Sequence, residues 1–199
     1  MNTQKQRLFL IGLAGRAGSG KNTVAKMIQR ACPSRGGRTR TLTLAFADPI
    51  KAMLSTGLAG LANAELTLDN KERPIPALGK SPRELLQTLG TEWGRGMVHP
   101  DLWVKIAMER VDHYRFHNPI IITDVRYQNE AAAIRQRGGQ IWHINRPDAR
   151  AVNPHSSERQ ELLMPGDINI NNNGSLDDLQ AAIQWPFEQT TARFLERKF

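Results

Sequence analysis

The sequence of 199 residues contains a single cysteine, Cys32, no run of five like charges and no long apolar segment. One thiol excludes an internal disulfide and a multi-thiolate metal site, and it is typical of a reducing compartment. No segment approaches the roughly 20 apolar residues that a membrane span needs, so we expect a cytoplasmic protein without membrane contact. The sequence also lacks internal repeats and low-complexity tracts, which excludes solenoids and wholesale disorder.

Positively charged residues are in excess, with 27 Lys and Arg against 19 Asp and Glu, which gives a net charge of +8. Such a balance suits polyanionic ligands, either nucleic acid or small phosphates. Because the like charges do not form a tail, the sequence does not predict a stable nucleic-acid partner. The five histidines have no spacing to Cys32 or to one another that indicates a metal centre.

A glycine-rich stretch, GRAGSGKNT at residues 15–23, follows an apolar segment and precedes a helical pattern. Glycines let successive backbone N–H groups point at a polyphosphate, and the following helix adds the positive end of its dipole. The sequence therefore predicts a phosphate-binding loop, with Lys21 reaching the β- and γ-phosphates. A flexible glycine-rich turn is the alternative, but it would explain neither Lys21 nor the helix. The predicted phosphate-contacting residues of the loop are Gly15, Arg16, Ala17, Gly18, Ser19, Gly20, Lys21, Asn22 and Thr23.

Strand and helix patterns alternate along the chain, which predicts an α/β fold of three layers, α/β/α, around a mostly parallel five-stranded sheet. The predicted strands cover residues 8–13, 41–46, 119–124, 140–145 and 168–170. Helices are predicted from 24 to 31, from 48, from 81 to 89, from 101 to 114, from 129 to 137 and from 176, with N-terminal caps at Asp48, Ser81 and Ser175. We expect one domain over residues 1–199, with an insertion at about 59–100 and a lid-like segment at about 146–160.

Polar side chains follow the apolar strands at four places, residues 15–23, 46–51, 124–126 and 145–147. In parallel α/β sheets ligands bind at the carboxyl ends of the strands, so we expect these segments to meet. Asp124, at the end of a buried strand, is a candidate for a magnesium shell, or else it caps the following turn. Five arginines flank the expected site, where guanidinium groups can bring two phosphates together unless they are solvated surface charges. They are Arg16, Arg83, Arg95, Arg126 and Arg146.

Two tryptophans, Trp93 and Trp103, flank a polar segment at residues 91–101. A tryptophan ring can stack on a nucleobase, but aromatic packing in the core is the commoner use. The sequence leaves both alternatives open.

Five segments together resemble the phage-type deoxynucleoside monophosphate kinases. They are GRAGSGKNT (15–23), FADPIK (46–51), SPRELLQTLGTE (81–92), DVRYQNE (124–130) and HSSE (155–158), and they extend over about the first four-fifths of the chain. The resemblance implies the P-loop NTPase fold and transfer of a phosphoryl group from ATP to a deoxynucleoside monophosphate, with Mg²⁺. It also implies a place in deoxynucleotide metabolism, in the host cytoplasm if the protein is encoded by a phage.

The resemblance implies a role for each matching position. Lys21, Arg83, Asp124 and Arg126 would be catalytic, while the glycine loop and Arg146 would bind ATP. Asn22 and Asp124 would hold Mg²⁺, although the family usually has an aspartate where this chain has Asn22, and Thr23 is the other candidate at the start of the helix. Monomer and homodimer both remain open. The deoxynucleoside monophosphate would contact Asp48, Lys51, Arg83, Gln87, Glu92, Arg95 and Trp103.

Two other functions share the phosphate-binding loop. A dephospho-coenzyme A kinase has a similar loop, but its acceptor is a hydroxyl group, which needs a general base. A nucleic-acid-binding P-loop ATPase would account for the net positive charge. The segments around Arg83 and Asp124 favour the nucleotide kinase over the dephospho-coenzyme A kinase, while the ATPase would be distinguished by turnover that nucleic acid stimulates.

Overall fold

The computed structural model describes residues 9–32, 41–59, 71–115, 118–147 and 162–195. Its strands are β1 (Leu10–Ala14), β2 (Leu42–Leu44), β3 (Ile120–Val125), β4 (Gln140–Asn145) and β5 (Ile168–Asn171). Its helices are α1 (Lys21–Ala31), α2 (Asp48–Gly57), α3 (Pro82–Gln87), a π-helix (Thr88–Val98), α4 (Leu102–Tyr114), α5 (Gln128–Gln136) and α6 (Leu176–Leu195). The chain forms two compact units: Phe46–Ile106 is the helical unit, and the residues before and after it form the sheet unit.

All five strands run parallel in one sheet, in the order β2-β3-β1-β4-β5. This arrangement confirms the predicted α/β fold with a five-stranded parallel sheet. The predicted strand at 140–145 coincides with β4. The second strand is shorter than predicted, because only three residues pair with β3 before the chain turns into α2 at Asp48.

Alternate residues of the sheet face two different helical layers. On one face, Ile11 and Leu13 of β1 belong to an apolar cluster that includes residues of α1 and α6. On the other face, a Cβ atom at Gly12 would lie 2.7 Å from the side chain of Ile134 in α5. Burial of an Ile or Leu side chain contributes about 1.5–3 kcal/mol, so this core holds the carboxyl ends of the strands firmly. The result is the predicted three-layer order.

The carboxyl end of β1 lies between the ends of β3 and β4. Ala14 pairs with Val125 of β3 and with His143 of β4. The strand order reverses direction at β1, and the crevice at such a switch point is where parallel sheets bind ligands. The expected proximity of the β3 end to the glycine loop is thereby confirmed.

The helical unit confirms one predicted cap and corrects another. Ser81 and Glu84 form a capping box at the start of α3: Glu84 N donates to Ser81 Oγ at 3.3 Å, and Ser81 N donates to Glu84 Oε2 at 2.8 Å. The hydrogen bond from the Ser81 backbone holds the pKa of Glu84 below its usual value. The prediction that Asp48 caps α2 is wrong by one residue. Ala47 is the cap, and Asp48 is the first helical residue. There its carboxylate interacts favourably with the positive end of the helix dipole.

The π-helix was not predicted. The sequence predicted a single α-helix over 81–89, whereas α3 ends at Gln87 and the chain continues as a π-helix to Val98. Two buried glycines let neighbouring side chains approach this helix closely. A Cβ atom at Gly90 would lie 2.9 Å from Ile50, and one at Gly94 would collide with the ring of Trp103.

Two regions of functional interest are only partly described. In the predicted lid-like segment, residues 148–160 lie outside the described residues, and so does the HSSE motif at 155–158. The same holds for residues 60–70 of the predicted insertion. Among the helices that the structure describes, none has the length and apolar character needed to cross a membrane.

Candidate functional site

The chain between β1 and α1 turns through three glycines in the left-handed region, with φ values of 142° at Gly15, 75° at Gly18 and 101° at Gly20. Residues with a side chain rarely adopt such angles. At Gly15 a Cβ atom would also lie 2.5 Å from the carbonyl oxygen of Ile144, so the loop contacts the end of β4. The backbone follows this path because these positions carry no side chain.

Lys21 is the first residue of α1, and its ammonium group reaches back across the loop. Its Nζ atom donates to the carbonyl oxygen of Gly15 at 2.7 Å and to that of Arg16 at 2.8 Å. The first turn of α1 contains no acidic residue, so the positive end of the helix dipole is not neutralised there. The loop therefore presents an ammonium group and a helix N-terminus together, an arrangement that favours an anion.

Asn172, directly after β5, braces the loop from the other side. Its side-chain amide donates to the carbonyl oxygen of Ser19 at 2.8 Å, and its backbone N–H donates to the carbonyl oxygen of Asn145 at 2.7 Å. A Cβ atom at Gly20 would collide with the Asn172 amide. The sequence analysis missed this residue. The signal that could have indicated it is the run of three asparagines, 171–173, where an apolar strand ends.

The end of β3 carries two predicted site residues. Asp124 is half-buried within β3, and Arg126 is exposed immediately after the strand. The backbone N–H groups of Arg126 and Tyr127 donate to Oε2 of Glu130, at 2.7 and 3.0 Å. Glu130 is 2% exposed. Its carboxylate therefore fixes the turn that presents Arg126 beside the loop, a role that the sequence analysis did not assign.

A cavity of about 340 Å³ lies where the loop meets the ends of β3 and β4. Three arginines, Arg16, Arg126 and Arg146, are among the twelve described residues that line it, and none of the twelve is acidic. Three of the four segments that were expected to meet, 15–23, 124–126 and 145–147, contribute to this lining. The charge and size of the cavity suit an anionic small molecule.

A buried network lies beside this cavity. Asp167, whose side chain is 4% exposed, accepts hydrogen bonds from Arg135 at 2.6 and 3.1 Å and from His143 Nε2 at 3.0 Å. The backbone N–H of Met164 adds a fourth bond at 2.9 Å. Burial acts to raise the pKa of Asp167, but the hydrogen bonds from Arg135 and His143 outweigh it, and the pKa lies below its usual value. None of these residues was singled out from the sequence.

The helical unit holds the residues predicted to bind the acceptor. Arg83, in the first turn of α3, is half-buried and forms an ion pair with Glu72. Its backbone N–H donates to the carbonyl oxygen of Lys71 at 3.0 Å. Lys51 is exposed on α2, and Gln87 is exposed at the end of α3.

The π-helix contributes the remaining predicted contacts. Glu92 is exposed, and the half-buried Arg95 donates from Nη1 to the carbonyl oxygen of Pro100 at 3.2 Å. Trp103 is 2% exposed and donates from its indole N–H to the carbonyl oxygen of Gly90 at 2.7 Å. Its ring therefore packs inside the unit and is not available to a nucleobase in this conformation. Trp93, 38% exposed and with its ring centroid 6.3 Å from that of Trp103, is the accessible ring of the pair.

The donor groups at the loop fit magnesium better than a transition metal. Within the described ranges, no three His, Cys, Asp or Glu side chains form a group that could hold a metal ion. Mg²⁺ does not need such a cage, because it is held by one or two protein oxygens together with substrate phosphates and water. Two side chains offer donors of this kind. They are the carboxylate of Asp124, near the end of β3, and the amide oxygen of Asn22, in the first turn of α1.

Comparison with known proteins identifies relatives of one kind. Residues 77–183 match the profile of the family described as deoxynucleotide monophosphate kinase. A protein of Acanthamoeba polyphaga mimivirus, named provisionally as a deoxynucleotide monophosphate kinase, is 30% identical over 194 residues, which cover 88% of this chain and 94% of that protein. The deoxynucleoside-5'-monophosphate kinase of Escherichia phage T5 is 28% identical over 64% of this chain and 72% of its own length. The deoxynucleotide monophosphate kinase of Enterobacteria phage T4 is 31% identical over 52% of this chain and 44% of its own.

Among solved structures, the chain is similar to TT1252 from Thermus thermophilus. The two are 19% identical, with a TM-score of 0.48, over 92% of this chain and 98% of the other.

Proposed function

Because this chain belongs to the deoxynucleotide monophosphate kinase family, we propose that it transfers the γ-phosphoryl group of ATP to a deoxynucleoside monophosphate, forming ADP and the diphosphate. One observation carries this proposal. The glycine loop, bridged by Lys21, lies on a cavity that three arginines line. A polyphosphate donor suits the loop, and the arginines suit the charge that two reacting phosphates bring together.

The donor half of the site is the loop with Arg16 and Arg146. Backbone N–H groups of residues 15–21 bind the α- and β-phosphates, and Lys21 binds the β- and γ-phosphates. In the structure the Lys21 ammonium holds two loop carbonyl groups. It carries three N–H donors, so a phosphate oxygen can take a position beside these contacts or replace one of them.

Asn22 and Asp124, with Thr23 as the alternative at the start of α1, would hold Mg²⁺. When bound, the ion neutralises charge on the β- and γ-phosphates and keeps them in a reactive geometry. An amide oxygen at position 22 carries no charge of its own. Asp124 is therefore the one proposed protein ligand that contributes a negative charge.

Binding of the acceptor is proposed for residues of the helical unit. Arg83 binds the monophosphate, and its guanidinium can offer two parallel N–H donors to two phosphate oxygens. In the structure the Arg83 guanidinium is paired with the carboxylate of Glu72, so a phosphate would compete with Glu72 for this group. The other proposed acceptor contacts are Asp48, Lys51, Gln87, Glu92 and Arg95.

The chemistry does not require a strong general base. The second pKa of a phosphate monoester is about 6, so at neutral pH the acceptor is already largely an oxyanion. Catalysis then consists of alignment and neutralisation of charge, which are the roles we give to Lys21, Arg126 and Arg146. Arg126 is held for this role by the turn that Glu130 fixes.

The proposal is tested by measuring ADP release with ATP and Mg²⁺ in the presence of each deoxynucleoside and ribonucleoside monophosphate. We expect ADP formation that depends on at least one deoxynucleoside monophosphate. If none of them stimulates release, the proposal is wrong. Dephospho-coenzyme A and single-stranded DNA, added in separate reactions, distinguish the two other P-loop functions: stimulation by either one alone would assign the chain to that function.

A further inference from the structure

The network of Arg135, Asp167 and His143 connects three parts of the sheet unit. Arg135 lies on α5, His143 lies near the end of β4, and Asp167 directly precedes β5. Arg135 also donates from Nη2 to the carbonyl oxygen of Leu162 at 2.8 Å. The network therefore holds the segment 162–167 against both the helix and the sheet.

Stability alone does not require a network of this kind. A buried ion pair costs desolvation energy that its attraction often does not exceed, and apolar residues of similar volume are frequently as stable. What a buried pair does supply is a defined geometry, because charge-assisted hydrogen bonds are short and directional. Asp167 accepts four such bonds from three different chain segments, so its position determines theirs.

One residue of the network, and one residue that Arg135 contacts, lie at the arginine-lined cavity. His143 and Leu162 both line it, together with Gly15, Arg16 and Ser19 of the glycine loop. His143 also pairs with Ala14, the last residue of β1 before the loop, and the next residue on β4, Ile144, contacts Gly15. A shift of His143 would therefore move the surface on which the loop rests.

We propose that Arg135, Asp167 and His143 form a positioning network for the donor half of the site, which sets the place of the β4 end and of Leu162 relative to the phosphate-binding loop. The inference rests on the proposed function, since it assumes that the loop binds ATP. An ionised Asp167 can only accept, so the hydrogen-bond network places a proton on His143 Nε2, which donates to it. His143 thus acts as a positioning residue, through its N–H donor to Asp167.

The hydrogen bond from His143 to Asp167 can be tested with substitutions that keep or remove the donor at position 143. The amide nitrogen of glutamine can take the place of Nε2 and donate to Asp167, so His143→Gln should keep the network. His143→Leu removes the donor while keeping a side chain of comparable bulk. The pair Asp112–Arg137 offers a control: Arg137 directly follows α5 and donates to Asp112 on α4 at 2.9 Å, and neither residue lines the cavity.

The test is the dissociation constant of the non-hydrolysable ATP analogue AMP-PNP with Mg²⁺, measured by calorimetry on the full chain. We expect His143→Leu and Asp167→Ala to weaken binding about tenfold, as loss of a supporting hydrogen bond typically does. His143→Gln should stay within about twofold of the native chain, and so should Asp112→Ala. In steady-state assays the KM for ATP should rise while the KM for the acceptor stays constant.

If the native chain does not bind AMP-PNP, the proposed function fails at its donor half. If the native chain binds and His143→Leu binds equally well, the positioning network is wrong and the proposed function stands. An equal loss in Asp112→Ala, or a loss in His143→Gln as large as in His143→Leu, would also overturn the inference. Should Asp167→Ala fail to fold, the two His143 variants decide.

Discussion

The glycines of the phosphate-binding loop and those of the π-helix serve opposite purposes. Gly15, Gly18 and Gly20 adopt positive φ angles, so there the absence of a side chain frees the backbone. Gly90 and Gly94 lie in a helix, and there the absence of a side chain makes room for Ile50 and Trp103. The sheet unit thus uses glycine to shape the loop of its candidate site, whereas the helical unit uses glycine to pack side chains and presents others, such as Arg83 and Arg95. Damage to the two units should therefore affect different substrates.

The largest effect is expected at Lys21. Lys21→Met keeps the length of the side chain but removes the charge that we assign to the β- and γ-phosphates, and kcat should fall by about a thousandfold or more. The measurement is ADP release at saturating ATP and acceptor, with circular dichroism to confirm the fold. Lys26→Met, on the exposed side of the same helix, is the control and should retain activity. Near-native turnover in Lys21→Met would remove the loop from the mechanism.

The contrast between the two sets of glycines is tested by one alanine in each. Gly15→Ala forces a side chain into a positive φ angle and against Ile144, which should lower the free energy of unfolding by about 1–3 kcal/mol and raise the KM for ATP. Gly94→Ala presses on Trp103 and should cost a similar 1–3 kcal/mol through overpacking, with the KM for ATP unchanged. Urea unfolding and steady-state kinetics of both variants give the comparison. A rise in the ATP KM of Gly94→Ala would contradict the division of roles.

Arg83→Ala should act on the acceptor alone. Loss of a bidentate guanidinium contact with phosphate is expected to raise the KM for the deoxynucleoside monophosphate by about 10- to 100-fold and to leave the KM for ATP nearly constant. Arg73→Ala, an exposed arginine of the same segment, serves as the control. Equal changes in both KM values would show that Arg83 does not belong to an acceptor site.

The smallest effect is a pH dependence that comes from the sheet unit. The pKa of Asp167 is lower in the folded protein than in the unfolded chain, where it is about 3.9. Its stabilisation is therefore complete above this value and is lost as the pH falls through the lower, folded value. In urea unfolding, the native chain should exceed Asp167→Asn by about 1–2 kcal/mol at neutral pH, and the gap should close below pH 4. A gap that does not depend on pH would mean that the carboxylate charge is not what stabilises the fold.

Local sequence signals predicted most of the secondary structure of both units. Strand β4 coincided with its predicted bounds, and the caps at Ser81 and Ser175 formed as expected, because short apolar runs and capping chemistry act over a few neighbouring residues. The π-helix was missed, since its i to i+5 hydrogen bonds follow from how Gly90 and Gly94 pack rather than from a periodic pattern. Trp103 could not be assigned from the sequence for the same reason: its burial depends on Gly94.

The sequence by itself predicted a polyphosphate ligand and the loop proposed to bind it, because glycine spacing, Lys21 and the start of a helix are all contained within nine residues. Only the tertiary structure decided which distant residues support that loop. Asn172 reaches Ser19 across 153 positions, and Asp167 joins Arg135 and His143 across 32 and 24. Pairings at such separations arise from the order of strands in the sheet, which places β4 beside β1 and β5 beside β4, and no local pattern encodes them.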